Sequence, residues 1–161
     1  MFTKNIQSKE KEQLSVEEIE TFQNQKLQEQ LVYLAENSTF YKRVFSENNI
    51  DWKLIKSIND LKFLPVTTKN DLQQFNQDFL CVHPTEIIDY STTSGTLGDP
   101  VTFGLTDKDL DRLAENELNS FQRIGVQKGD VVQLMTTIDR RFMAGLAYFL
   151  GLRKLGAGVI R

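Results

Sequence analysis

Residues 91–100 read Ser-Thr-Thr-Ser-Gly-Thr-Leu-Gly-Asp-Pro. Hydroxyls crowd together, two glycines follow, and a proline closes the run. Such a stretch can hold phosphate oxygens, because backbone N–H groups converge in a tight turn and hydroxyls add donors. Gly95 and Gly98 allow close backbone approach and positive φ, and Thr93, Ser94 and Thr96 supply hydroxyls. The same residues also suit an ordinary hairpin loop, and the pattern alone leaves both readings open. A Walker-type loop is disfavoured. It needs G-x-x-x-x-G-K-[ST] between a strand and a helix, whereas this run lacks lysine and leads into the strand-like "PVTFGL".

Other reactive residues are few. Cys81 and His83 are the only cysteine and the only histidine. In an extended segment they share a face, but no third group is evident to orient a nucleophilic pair. A packed cysteine beside a surface histidine is the preferred reading. With one of each, a disulfide within the chain, a cysteine-held zinc and a two-histidine metal site are excluded. Asp139, Arg140 and Arg141 follow a strand's carboxyl end, where α/β proteins place ligands. An arginine there could meet a carboxylate or phosphate. The plainer reading is favoured: Asp139 caps a helix and the arginines are solvated. Phe142, Tyr148 and Trp52 read as packing residues.

The elements that must position these residues change character along the chain. Residues 1–85 read as mainly helical. Ser15 and Glu18 have the spacing of a capping box, and Ile19, Phe22, Leu27, Leu31 and Leu34 form one apolar stripe to about Glu36. Asn37 and Ser38 stop that helix. "FYKRVF" starts a second, with Phe40, Val44 and Phe45 on one side. Ser57 with Asp60 opens a short turn ended by Pro65, and Thr68 with Asp71 caps a further helix. Residues 86–161 read as an α/β portion of the same domain, not an independent one. Two short strands, 86–93 and 100–105, flank the hydroxyl-rich loop. Thr106 with Asp109 caps a helix whose buried face is Leu110, Leu113, Ala114, Phe121 and Ile124. Residues 131–136 read as a strand covered on both faces. A helix at about 139–155 carries Ala144, Gly145, Ala147 and Gly151 for close packing on a sheet. A strand then starts at Gly158, parallel to 131–136, completing a right-handed βαβ unit. The expected fold class is α/β: a helical N-terminal region, then the start of a mixed sheet.

Composition bounds the function. The 161 residues carry a net charge of −3, with 40% hydrophobic and 25% charged residues. That suits one soluble domain with a core. No basic excess points to nucleic acid. The first residues lack the apolar segment of a secretory signal, and the longest apolar run, 142–152, is too short to span a bilayer. The setting expected is the reduced cytoplasm. A strand from Gly158 has barely three residues before Arg161 and nothing after it to cover it. The expectation is that the chain is the N-terminal part of something longer.

"TTSGTLGDPV" resembles the phosphate loop of the acyl-adenylate-forming enzymes. "FYKRVF", "SINDLKFLPVTTKNDLQ", "GLTDKDLDR", "GVQKGDVVQ" and "GLRKLGAGVI" occur in the order found in their phenylacetate–coenzyme A ligase-like branch, so the resemblance runs from about Leu31 to Arg161. It implies an ATP-dependent, AMP-forming carboxylate–CoA ligase. A carboxylate attacks the α-phosphate of ATP, pyrophosphate leaves, and a thiol, usually coenzyme A, displaces AMP. It also implies that Thr93, Ser94, Gly95, Thr96 and Gly98 line the β- and γ-phosphates with Mg²⁺, and that Pro100 sets the entry to the next strand. The partners implied are a carboxylic acid such as phenylacetate, ATP and coenzyme A, with no nucleic acid and no membrane; a homodimer is open. No catalytic and no metal-binding residue is assigned. The family's adenine, ribose and hinge segments and its catalytic lysine are not found, so the chain alone is expected to be inactive.

Two departures stand out. Leu97 occupies a position where threonine is common, which removes a hydroxyl. Val101 stands where many relatives have lysine, and the phenylacetate branch often lacks that lysine. Two other readings stay open: an adenylating enzyme with a different acyl acceptor, and a non-catalytic nucleotide- or partner-binding domain.

Overall fold

Most α-helices among the described residues begin where a side chain satisfies the otherwise orphaned first amides. The structure, a computed structural model, describes residues 14–93, 100–139 and 141–161. Helix α1 spans Val16–Asn37. The Glu18 N–H donates to Ser15 Oγ (3.2 Å) and the Ser15 N–H donates to the Glu18 carboxylate (2.8 Å). Ser38, fully buried, ends α1 and starts α2, Thr39–Glu47. Its N–H donates to the Leu34 carbonyl, while its hydroxyl accepts from the Tyr41 N–H and donates to the Asp78 carbonyl. A 3₁₀ turn at Ile58–Phe63 follows the Ser57/Asp60 box, and α3, Lys69–Gln74, follows Thr68/Asp71.

The chain divides into two compact units, Met1–Cys81 and Val82–Arg161. In the first, Leu31, Phe45 and Ile55 are buried, with Leu27, Val44, Trp52 and Leu64 packed around them. Phe40 stacks on Phe79 with centroids 4.0 Å apart. The α1 stripe is buried only in part: Leu31 is 3% exposed, but Ile19 is 39% exposed.

The second unit is the α/β portion. Strands β1 (Asp89–Thr92) and β2 (Thr102–Leu105) are antiparallel, with Asp89 opposite Leu105 and Thr92 opposite Thr102. Helix α4 is Asp107–Arg123, capped by Thr106 and Asp109 as expected. Strand β3 (Val131–Gln133), helix α5 (Met143–Leu155) and strand β4 (Gly158–Ile160) form the βαβ unit. β3 and β4 are parallel, pairing Val131 with Gly158 and Gln133 with Ile160. Both pairing senses therefore occur, in separate two-stranded sheets. Gly156, at φ 85°, ends α5 in the left-handed conformation that favours glycine.

Three expectations change. The 131–136 strand keeps only three paired residues, and Val131 is 67% exposed, so one face is uncovered. Ile124 lies at the C-cap of α4, beyond its packed face, and is 77% exposed. The two glycines of α5, Gly145 and Gly151, meet a connecting segment and a helix and not a sheet. A Cβ on Gly151 would sit 2.4 Å from Glu117 Cβ on α4, and one on Gly145 would meet the Thr137 carbonyl. Helix–helix contact, with Ala114, Ala147 and Leu152 buried and Phe121 edge-on to Tyr148, is what the small residues permit.

That contact reverses a helix-propensity rule. In a free helix interior, Gly→Ala stabilises by about 0.8–1 kcal/mol. Gly151→Ala is instead expected to destabilise by about 1–3 kcal/mol, because α4 and α5 must separate. Denaturant unfolding measures it, and a more stable variant would contradict the close approach.

The caps predict a pH effect. The Asp60 carboxylate accepts from the Lys56 N–H (3.0 Å), the Ser57 N–H (2.9 Å) and the Ser57 hydroxyl (3.1 Å). These bonds, with Lys56 N–H first, hold its carboxyl below the ordinary 3.8. A carboxylate with a depressed folded pKa contributes stability that is complete above its unfolded value and lost as pH falls through the folded one. Asp60→Asn should therefore flatten the loss of stability below about pH 4. Denaturation series at pH 7 and pH 3 test this; an unchanged difference between the two would count against the cap.

Candidate functional site

The antiparallel hairpin extends one pair beyond β1 and β2. The Thr93 N–H donates to the Val101 carbonyl (3.0 Å). The Val101 N–H donates to Thr93 Oγ1 (2.9 Å). Together these bonds clamp the base of the hydroxyl- and glycine-rich loop. Val101 is 2% exposed, so its amide depends on that side chain. The Thr93 hydroxyl is exposed and, while accepting from Val101, keeps its own proton to donate. Pro100 is exposed at the return into β2. Ser94, Gly95, Thr96, Leu97 and Gly98 lie outside the described residues, as does Arg140.

A second segment reaches the loop base. The Thr92 N–H donates to the Arg141 carbonyl (3.0 Å), and Thr92 bridges Phe142 in the parallel sense. The start of α5 therefore lies beside the end of β1. Phe142 is the N-cap of α5 and provides no side-chain cap. A helix N-terminus carries partial positive charge on its free amides. Thr93, one residue past the Thr92–Phe142 bridge, and this helix end thus lie on one edge of the second unit.

Asp139 does not cap α5. Its carboxylate accepts from the Thr137 hydroxyl, its N–H donates to Thr137 Oγ1 (3.3 Å), and its carbonyl accepts from the Phe142 N–H (3.1 Å). It shapes the approach to the helix. Arg141 is exposed and holds φ 62°, an uncommon state for a side-chain-bearing residue. Neither contact of this approach with Thr92 was read from the sequence, because a positive φ at arginine has no composition signal. An open cavity of about 550 Å³ lies at the carboxyl ends of β3 and β4, lined by Thr136, Thr137, Ile138, Val159 and Arg161. The rule that ligands sit at such strand ends pointed to this region through Asp139–Arg141, but not to these lining residues.

The remaining candidates take structural roles. The Cys81 thiol donates to the Phe79 carbonyl (3.5 Å), and burial pushes its pKa up, so it stays protonated at neutral pH. The exposed His83 engages Thr85 through Nδ1 (2.8 Å) and starts a short 3₁₀ turn. Tyr148 packs on Phe121, and Trp52 belongs to the core of the first unit. Among the described residues, no group of three or more His, Cys, Asp or Glu could hold a metal ion, and no helix is long and apolar enough to cross a membrane.

The chain is similar to known proteins over most of its length. The chain is 30% identical over 150 residues to the phenylacetate–coenzyme A ligase of Escherichia coli K12, covering 92% of this chain and 34% of that enzyme. It is 29% identical over 152 residues to the Thermus thermophilus enzyme of the same name, covering 94% of this chain and 34% of that enzyme. Thus it spans about a third of the length of the curated relatives it matches. A crystal structure of 2-hydroxyisobutyryl-CoA ligase with 2-HIB-AMP and CoA, in the thioesterification state, matches with TM-score 0.82 and 26% identity over 92% of this chain and 32% of that chain. The same ligase in its postadenylation state, at 24% identity and TM-score 0.81, matches in fold. No family model matches the chain.

The clamp makes a separate prediction. Thr93→Val keeps the shape but leaves the buried Val101 N–H without an acceptor, which should cost about 1–3 kcal/mol. Thr93→Ser should retain most of the stability. Equal losses in the two variants, measured by denaturant unfolding, would show that the hydroxyl does not hold the loop base.

Proposed function

We propose, from the membership of this chain in the phenylacetate–coenzyme A ligase-like branch of the acyl-adenylate-forming enzymes, that it supplies the phosphate-holding segment of an AMP-forming carboxylate–CoA ligase. The observation that carries the reading is the clamped hairpin. Thr93 and Val101 pair at the two ends of the hydroxyl–glycine run, and Thr92 pairs with the segment that opens α5, within a chain that matches such ligases over 92% of its length.

The chemistry asks little covalent work of these residues. A substrate carboxylate oxygen forms a bond to the α-phosphorus of ATP as the bond to pyrophosphate breaks. The acyl-adenylate then yields its acyl group to a thiol: a C–S bond forms, the C–O bond to AMP breaks, and the thiol proton passes to solvent. Charge grows on the departing pyrophosphate, so donors aimed at it are worth most in the transition state. Thr93, Ser94 and Thr96 are the hydroxyl donors proposed for the β- and γ-phosphates. Gly95 and Gly98 leave room for backbone amides to approach. Mg²⁺ comes with the nucleotide, held by phosphate oxygens and water. The acid is phenylacetate or a similar aryl or acyl acid, and the acceptor is coenzyme A. The structural neighbour's complexes with an acyl-AMP and CoA support this order of steps.

Two outcomes test it. The 161-residue chain alone should release no pyrophosphate from ATP with a panel of aryl and fatty acids; sustained turnover would overturn the assignment of this chain as one part of the machinery. In the complete ligase, Ser94→Ala with Thr96→Ala removes two charge-assisted bonds of about 1.5–3 kcal/mol each. Adenylation should fall on the order of 10²-fold or more, and Gly95→Val should cost more still. Unchanged adenylation with intact folding would make the loop an ordinary turn.

A further inference from the structure

The hairpin that carries the proposed phosphate contacts has no cation of its own. From Asn70 to Asp107 the sequence holds no lysine and no arginine, while Glu86, Asp89 and Asp99 are acidic. Hydroxyls and amides supply only dipoles, and a phosphate chain carries several negative charges. An acidic hairpin therefore repels such a ligand unless another segment brings positive charge to it.

Arg141 is a cationic residue whose main chain is bonded to that hairpin. Its carbonyl accepts from the Thr92 N–H (3.0 Å), one residue before Thr93, and Phe142 bridges Thr92. The Arg141 side chain is exposed, and among the described residues it enters no ion pair or hydrogen bond. Asp139, two residues earlier, gives its carboxylate to the Thr137 hydroxyl. Arg141 also holds φ 62°. Glycine or asparagine would take that left-handed backbone at less cost, so the turn by itself does not require arginine.

We propose that Arg141 is a phosphate-binding residue. Its guanidinium supplies, from the approach to α5, the positive charge that the hairpin lacks, and meets oxygens of the nucleotide's phosphate chain beside the Thr93 hydroxyl. A guanidinium presents paired N–H donors that match two phosphate oxygens, and it stays charged at any pH the protein meets. The bond to Thr92 sets the residue at the loop base before a ligand arrives. The proposal rests on the phosphate-holding reading, and the experiment separates the two.

The test is calorimetric titration of the 161-residue chain with magnesium pyrophosphate and with MgATP, at about 50 mM and about 500 mM salt. Arg141→Gly removes the charge and relieves the backbone. Thermal stability should hold or rise while affinity falls about tenfold or more. That loss should shrink at the higher salt, where charge is screened, and a merely structural role would not respond in this way. Arg141→Lys should recover part of the affinity. Lys108→Ala removes the same charge beyond the far end of β2 and should leave affinity unchanged. Equal affinity of wild type and Arg141→Gly, or an equal loss in Lys108→Ala, would overturn the proposal and leave the phosphate reading standing. Binding of neither ligand by the wild-type chain would overturn both.

Discussion

The hydrogen bond from the Thr92 N–H to the Arg141 carbonyl ties the end of β1 to the segment that opens α5. On one side is the antiparallel pair β1–β2, whose strands lead into and out of the hydroxyl- and glycine-rich stretch. On the other is a βαβ unit whose helix begins at the next residues. Under the proposed reading, a loop that holds phosphates needs its donors fixed before the nucleotide arrives, because preorganised dipoles cost no reorganisation during reaction. The Thr93–Val101 pair fixes the base of the loop from within the hairpin. The Thr92–Arg141 bond fixes it against α5. Arg141 reaches this position through a positive φ, and such local strain persists only where the surroundings determine it.

The helix so positioned is itself held by close packing. Gly151 brings α5 against Glu117, and Gly145 brings the start of α5 against the Thr137 carbonyl. The two glycines therefore set both ends of the link: one to α4, the other to the segment that leads from β3 to the helix. Lys154 adds an ion pair to Glu115 (2.7 Å), but both side chains are largely exposed, so packing dominates. The open face of β3–β4 is the counterpart. The unit is well tied on its helical side and bare on the other.

Much of this was legible because its signals are local. The Ser15/Glu18, Thr68/Asp71 and Thr106/Asp109 boxes mark helix starts within a residue, since each is a contact between neighbours in sequence. The β1–β2 hairpin and the parallel β3–β4 pair followed from the change in apolar period. What failed depended on partners distant in sequence. Nothing in Ala144–Gly151 distinguishes a sheet neighbour from a helix neighbour. The apolar run at 131–136 implies two covered faces, but only one is covered here. Asp139 had the right type and place for a cap, yet Thr137 takes its carboxylate. At the site, the sequence reads Thr93 as a donor to phosphate, whereas the structure shows its hydroxyl accepting from a buried amide. Composition and spacing leave the role of the loop open, and phosphate holding is what the resemblance implies for it.

The most direct measurement is a titration of the ¹⁵N-labelled chain with MgATP, followed by the amide resonances of Thr93 to Gly98. Holding of the β- and γ-phosphates predicts shifts concentrated in that stretch and at the start of α5. The same shifts should appear with pyrophosphate and be weakened by Ser94→Ala with Thr96→Ala. Shifts confined to other parts of the chain, or none at millimolar nucleotide, would contradict the account.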